Sequence, residues 1–105
     1  MNRCISIIKE VEREQEHEKR CARVQRSRDV ELDAMKEANA NGITMSCDGV
    51  SYELSDNRHV IAFYPITNTV FRKRYGEKVM SRVEINAETD LLSVVLMFCE
   101  GRFLR

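Results

Sequence analysis

The chain is expected to adopt an α+β fold, with a long or broken N-terminal helix, an antiparallel sheet of three to five strands and a C-terminal helix. Three observations predict this. Residues 3–40 contain neither proline nor glycine and are rich in Glu, Arg, Lys and Ala, which is helix-forming composition. From Ile43 the apolar period changes to two residues in "ITMSCDGVSYEL", the signature of a half-buried strand pair. Near the end, "NAETDLLSVVLMFCEG" places an apolar run between a capping residue and a glycine.

At 105 residues the chain is read as one domain, 1–105, with a charged helical region at 1–41 and a hairpin sheet plus helix at 42–105. That length can bury a modest core without a metal or disulfides. An unbroken helix over 3–40 would be roughly 55 Å long, whereas a compact chain of this size is about 35 Å across. The helix must therefore protrude, dimerise or break. A break is expected at "RSRD", where Ser27 or Asp29 would cap a second helix. Gly42 in "NANG" supplies the left-handed residue that stops it. On a helical wheel His17, Cys21, Val24, Leu32 and Met35 form a narrow stripe interrupted by Arg28. An earlier apolar face of Cys4, Ile5, Ile7, Ile8 and Val11 is rotated away from it.

The strongest strand signal is the hairpin around Asp48-Gly49. A two-residue turn there would pair Cys47 with Val50, Met45 with Tyr52 and Ile43 with Leu54, all six on one face. "SDNR" reads as the next turn and "HVIAFY" as a third strand ending at Pro65. Strands at 68–74 and 79–85 with a turn at Gly76 are favoured over a short helix. Asn86 is expected to cap the last helix, with acids in its first turn and Gly101 as its terminator, while the paired valines keep a buried strand open as the alternative. The core would join Ile43, Met45, Val50, Tyr52 and Leu54 to Leu91, Leu92, Val95 and Phe98.

Seventeen bases balance seventeen acids, so no global field draws the chain to nucleic acid or anionic lipid, and local patches must carry any electrostatic partner choice. The opening run Cys4–Ile8 is too short for a secretory signal, and Val94–Cys99 is too short for a membrane span. A soluble, cytoplasmic protein is expected, its four cysteines reduced and used in packing.

One pattern stands out. Within "EREQEHEKRCARVQRSR", residues 12–28, ten of seventeen side chains are charged. Glu10, Glu12, Glu14, Glu16 and Glu18 meet only Arg13, whereas Lys19, Arg20, Arg23, Arg26 and Arg28 have no acid among them. Glu10–Glu14 and Glu14–Glu18 are like-charged pairs one turn apart, which weakens an isolated helix. Glu16 with Arg20 is the best intrahelical pair. An antiparallel partner crossing near residue 19 would place each acidic segment beside a basic one, as in a homodimer through this helix or a complex with an inversely charged protein. A solvated face serving solubility is the competing explanation. Surface pairs contribute only about 0–1 kcal/mol each, so an interface there also needs the apolar stripe.

The functional expectation is a small non-enzymatic protein-binding module, an accessory regulator or inhibitor that occupies a larger protein's surface. Glu14, Glu18, Lys19, Arg20, Arg23 and Arg26 are the candidate contacts. The alternative is a nucleic-acid-binding protein using patches at 19–28 and 72–78, through Arg23, Arg26, Arg72, Lys73 and Arg74, with Phe71 and Tyr75 available for stacking. Strand alternation argues against that patch by sending Phe71 and Lys73 one way and Arg72 and Arg74 the other. His17 and Cys21 share a helix face, but two ligands fall short of a zinc site. Ser55, Asp56 and His59 in "SDNRH" are neighbours in sequence, which does not make a triad. No catalytic residue, cofactor or metal is assigned.

Overall fold

The computed structural model describes residues 2–74, 81–86 and 89–103, and within the first helix it describes side chains from residue 13 onward. It is an α+β architecture: α1 (Asn2–Asp29), α2 (Glu31–Ala40), β1 (Thr44–Cys47), β2 (Tyr52–Ser55), β3 (His59–Tyr64), β4 (Thr69–Arg74), β5 (Ser81–Val83) and α3 (Leu91–Cys99). The strands form one antiparallel meander in the order β1-β2-β3-β4-β5. The described segments at 69–74 and 81–83 are strands, as favoured over the helix; the Gly76 turn lies outside the described residues.

The N-terminal helix does break, but at Val30 rather than through a cap at Ser27 or Asp29. Val30 has φ −105° and ψ 7°, and no side chain caps α2. Ser27 points inward and is fully buried, while Asp29 accepts from the Gln25 amide at 2.8 Å. Packing decides the break, since Val30 rests against the core. Glu31 and Asp33 then occupy the first turn of α2, where the positive end of the helix dipole favours acids. Gly42 stops the helix as expected, with φ 73°.

The buried face of α2 is not the expected stripe. Leu32 is 72% exposed and Met35 39%, whereas Ala34 and Ala38 are fully buried. Small side chains let α2 come close to α3, with which it makes its most extensive packing. A wheel weighted by hydrophobicity ranks leucine above alanine and so chooses the wrong face. The side chains of Cys4, Ile5, Ile7, Ile8 and Val11 lie outside the described residues.

The first hairpin corrects the expected register. Cys47 pairs with Tyr52 and Met45 with Leu54, so the loop spans Asp48–Ser51 rather than Asp48-Gly49 alone. The Asp48 carboxylate accepts from the Val50 and Ser51 amides at 2.8 and 2.7 Å, closing a wider turn. Those amides, Ser51 first, hold its carboxyl below the usual range. A two-residue shift preserves side-chain parity, so Met45, Tyr52 and Leu54 keep one face. Val50 is displaced into the loop and is 57% exposed, so it is not a core residue.

On that face Tyr52, Leu54, Ile61, Phe63 and Val70 meet Ala34, Ala38, Leu91, Val94, Val95 and Phe98 in one core, closed by Phe103. Arg72 also projects from this face, and its guanidinium donates to the Phe103 carbonyl at 2.7 Å. The other face carries the row Glu53, Ala62, Phe71 and Arg82, with Tyr64 edge-on to Phe71. The last helix is capped by Asp90, which accepts from the Ser93 amide at 2.8 Å, and has no acid in its first turn. Asn86 is not the cap. Its carbonyl instead accepts from Thr89 N and from the Asn68 side chain. Gly101, with φ 75°, follows the helix as expected.

The molecule measures 58 × 30 × 22 Å with a radius of gyration of 16.5 Å, above the roughly 13 Å of a compact chain this long. The excess is α1, about 42 Å of helix.

Ser27 Oγ is buried without a hydrogen-bond partner, a state that costs free energy. Ser27→Ala should raise stability by about 1 kcal/mol, and Ala38→Leu should lower it by about 1–3 kcal/mol through overpacking. Urea unfolding measures both, and a neutral Ala38→Leu would remove the close packing of α2 from the account.

Candidate functional site

Residues 13–22 of α1 are exposed on every side; burial begins with Arg23 and Val24 and is complete at Ser27. This contrast follows from the break at Val30: only the last turns of α1 reach the domain. Glu14, Glu18, Lys19, Arg20 and Arg26 are all exposed, so five of the six candidate contacts face solvent.

Arg23 is different. It donates to the Ile66 carbonyl at 3.0 Å, and its guanidinium lies 3.9 Å from Glu16. Glu16 also pairs with Arg20 at 3.3 Å, the pair singled out in the sequence. Arg23 thus braces α1 against the β3–β4 turn. That turn is shaped by Asn68, which holds a left-handed φ of 51°, a region asparagine enters more readily than most residues. The Asn68 amide donates to the Pro65 carbonyl at 3.2 Å.

Between α1 and the hairpin tips runs a groove. Its outer part, about 430 Å³, is lined by His17, Arg20, Cys21, Val24, Gln25, Arg28 and Ile66. It adjoins an inner hollow of about 170 Å³ that shares Val24, Arg28 and Ile66 and adds Glu31, Cys47, Gly49, Val50, Tyr52 and Pro65. The stripe His17–Cys21–Val24–Arg28 is therefore one wall of this groove. The β1–β2 and β3–β4 loops form the other wall, because alternate turns of a meander lie at the same end. Val24, Val50 and Ile66 give the groove its apolar lining, and Arg20 and Arg28 give it charge.

The sequence pattern places Val50 in the hairpin core and gives Ile66 no role. Each is an apolar residue stranded in a turn, Ile66 being 38% exposed, and that is the signal which could have found them. Arg28 was read as an interruption of the stripe, yet it lines both parts of the groove.

Tyr52 closes the inner end. Its hydroxyl donates to Glu31 at 3.3 Å. Burial of the ring first, and then the Glu31 charge, push its pKa up to about 12. His17 and Cys21 approach to 3.6 Å across one helical turn. Among the described residues no three His, Cys, Asp or Glu side chains gather to hold a metal ion.

The nucleic-acid candidates are distributed over separate elements. Arg23 is bound to Ile66, and Arg72 to Phe103. Lys73 and Phe71 share the outer sheet face while Arg72 and Arg74 share the inner one, as alternation required. Tyr75, Gly76, Glu77 and Lys78 lie outside the described residues.

A second, polar cleft of about 430 Å³ sits at the opposite end of the sheet, lined by Asn41, Gly42, Asp56, Asn57, Arg58 and His59. Asp56 accepts from the Arg58 and His59 amides at 2.7 Å and lies 3.7 Å from His59 Nδ1. Its carboxylate shapes a turn, and no hydroxyl or thiol lines the cleft.

No helix among the described residues is long and apolar enough to cross a membrane. No protein-family model, curated protein or solved structure matches the chain.

The raised pKa of Tyr52 has a consequence for stability. Its folded value exceeds the unfolded value of 10, so its contribution is complete below pH 10 and is lost as pH rises toward 12. Urea midpoints of the wild type should fall relative to Tyr52→Phe across that window. Parallel curves would show that Tyr52 is not a source of the alkaline loss.

Proposed function

We propose that the protein is a small non-enzymatic protein-binding module, an accessory regulator or inhibitor that works by occupying another protein's surface, with α1 and its groove as the docking surface. The observation that carries this reading is the exposure of residues 13–22 on all sides beside a groove the fold leaves open. A helix so placed gains little from its own domain, because helical stability in proteins comes mainly from packing one face.

The lining supports one partner chemistry. Val24 and Ile66 offer apolar surface, and Arg20 and Arg28 offer charge. The complementary occupant is an amphipathic helix with an apolar stripe flanked by acids, docked as helix-in-groove. Its apolar contacts would supply most of the affinity, and the rim cations would set orientation and association rate. Nucleic acid remains the second reading, with Arg26, Lys73 and Arg74 as its exposed or half-exposed cations. Two of its five candidate side chains, Arg23 and Arg72, already serve the fold.

Binding of synthetic amphipathic helices, one with a Glu-bearing polar face and one with a Lys-bearing face, tests the reading by fluorescence anisotropy. The Glu-faced peptide should bind with salt-sensitive affinity, weakened about tenfold or more by Ile66→Asp, equivalent to about 1.4 kcal/mol. Equal binding of both peptides, or of neither by the monomeric chain, contradicts the groove assignment. Tight, salt-dependent binding of an oligonucleotide instead would favour the second reading.

A further inference from the structure

The segment of this chain whose chemistry fits the groove is its own acidic half-helix. We infer that the groove receives α1 of a second copy, so that the protein associates as an antiparallel dimer; this rests on the docking reading above and names its occupant. Residues 10–18 carry five acids and one Arg, with His17 besides; residues 19–28 carry five bases and no acid. Within one chain these halves are consecutive along a rigid rod and cannot neutralise one another beyond the turn where they meet. There Glu16 already serves both Arg20 and Arg23. Among the described side chains, Glu14, Glu18, Lys19, Arg26 and Arg28 make no ion pair and are left for a partner in the opposite orientation.

A two-fold axis near Lys19 places residue 10 of one copy beside residue 28 of the other. Glu10, Glu14, His17, Cys21, Val24 and Arg28 follow one another at spacings of three and four, and so share one helical stripe. Superposed antiparallel, this stripe sets Glu10 opposite Arg28 and Glu14 opposite Val24, with Arg28 and the neighbouring Arg20 lining the groove. His17 and Cys21 of the two copies meet at the axis. Lys19 and Arg26 project from the opposite side of the helix and do not collide across the axis. The contact is isologous, so every pair occurs twice and the assembly closes at two copies.

The same arrangement accounts for two features that the isolated chain leaves without a role. Like charges at Glu10 and Glu14 weaken the helix alone, whereas in the dimer position 10 lies beside Arg28 of the second copy. Val50 and Ile66 are exposed at hairpin tips beside the groove that the second helix enters.

Sedimentation equilibrium of the full chain tests this. At micromolar concentration and low salt the mass should be twice the 12.2 kDa of the chain, returning to the monomer in about 1 M salt, where the screening length is about 3 Å. E10K and R28E should each be monomeric with unchanged circular dichroism, and an equimolar mixture should recover the dimer, because the two reversed charges then face each other across the axis. A wild-type chain that stays at 12.2 kDa, or a dimer indifferent to both reversals, overturns the inference. A monomer that still binds the Glu-faced peptide loses only the second copy as occupant. A monomer that binds neither peptide loses the docking groove as well.

Discussion

The structure depends on the close approach of α2 to α3 above the sheet. Ala34 and Ala38 have no exposed surface, and their small size lets the two helices share the layer over Tyr52, Leu54, Ile61, Phe63 and Val70. A large residue at either position would lift α2 and open the core. Because α2 is seated this way, the chain N-terminal to Arg23 leaves the domain. The protrusion of α1 is thus a consequence of packing ten residues away from its exposed part. The 58 Å length of the molecule follows from the same constraint.

The groove arises from two further local events at one end of the sheet. The Asp48 carboxylate gathers the amides of Val50 and Ser51, which widens the first hairpin and carries Val50 outward. The Pro65–Asn68 turn presents Ile66, whose carbonyl anchors Arg23. That brace, together with the burial of Ser27, keeps α1 beside the hairpin tips. The site is therefore assembled from a helix and two loops, none of which would form a concave surface alone.

Much of the fold was legible in the sequence, since it follows from period and punctuation. The switch from helical spacing to alternation at Ile43, the Gly42 and Gly101 stops and the order of the strands are local properties of the chain. The misplacement of the first hairpin came from a local side-chain turn, and the other two from local rules that lost to packing. Cys47 pairs with Tyr52 and not Val50 because Asp48 had more amides to satisfy than a two-residue turn offers. Asp90 displaced Asn86 as the cap because the helix starts where Leu91 enters the core. Leu32 gave way to Ala34 because proximity, not hydrophobicity, governs the α2–α3 contact. For the candidate site, Glu16–Arg20 and the stripe through His17, Cys21 and Val24 could be read from helical spacing. Ile66 and Val50 could not, because their part in the groove exists only once distant turns are brought to one end.

Amide hydrogen exchange across a dilution series of the full chain shows whether α1 stands apart from the core until a second copy covers it. Exchange separates cooperative units by their opening free energies. The amides of α2, α3 and β2–β4 should be protected together at every concentration. Those of residues 13–22 should exchange rapidly when the chain is dilute and become protected as concentration rises. Protection of residues 13–22 equal to the core's at the lowest concentration would mean that α1 packs on its own domain. Rapid exchange there at every concentration would mean that no second copy covers it.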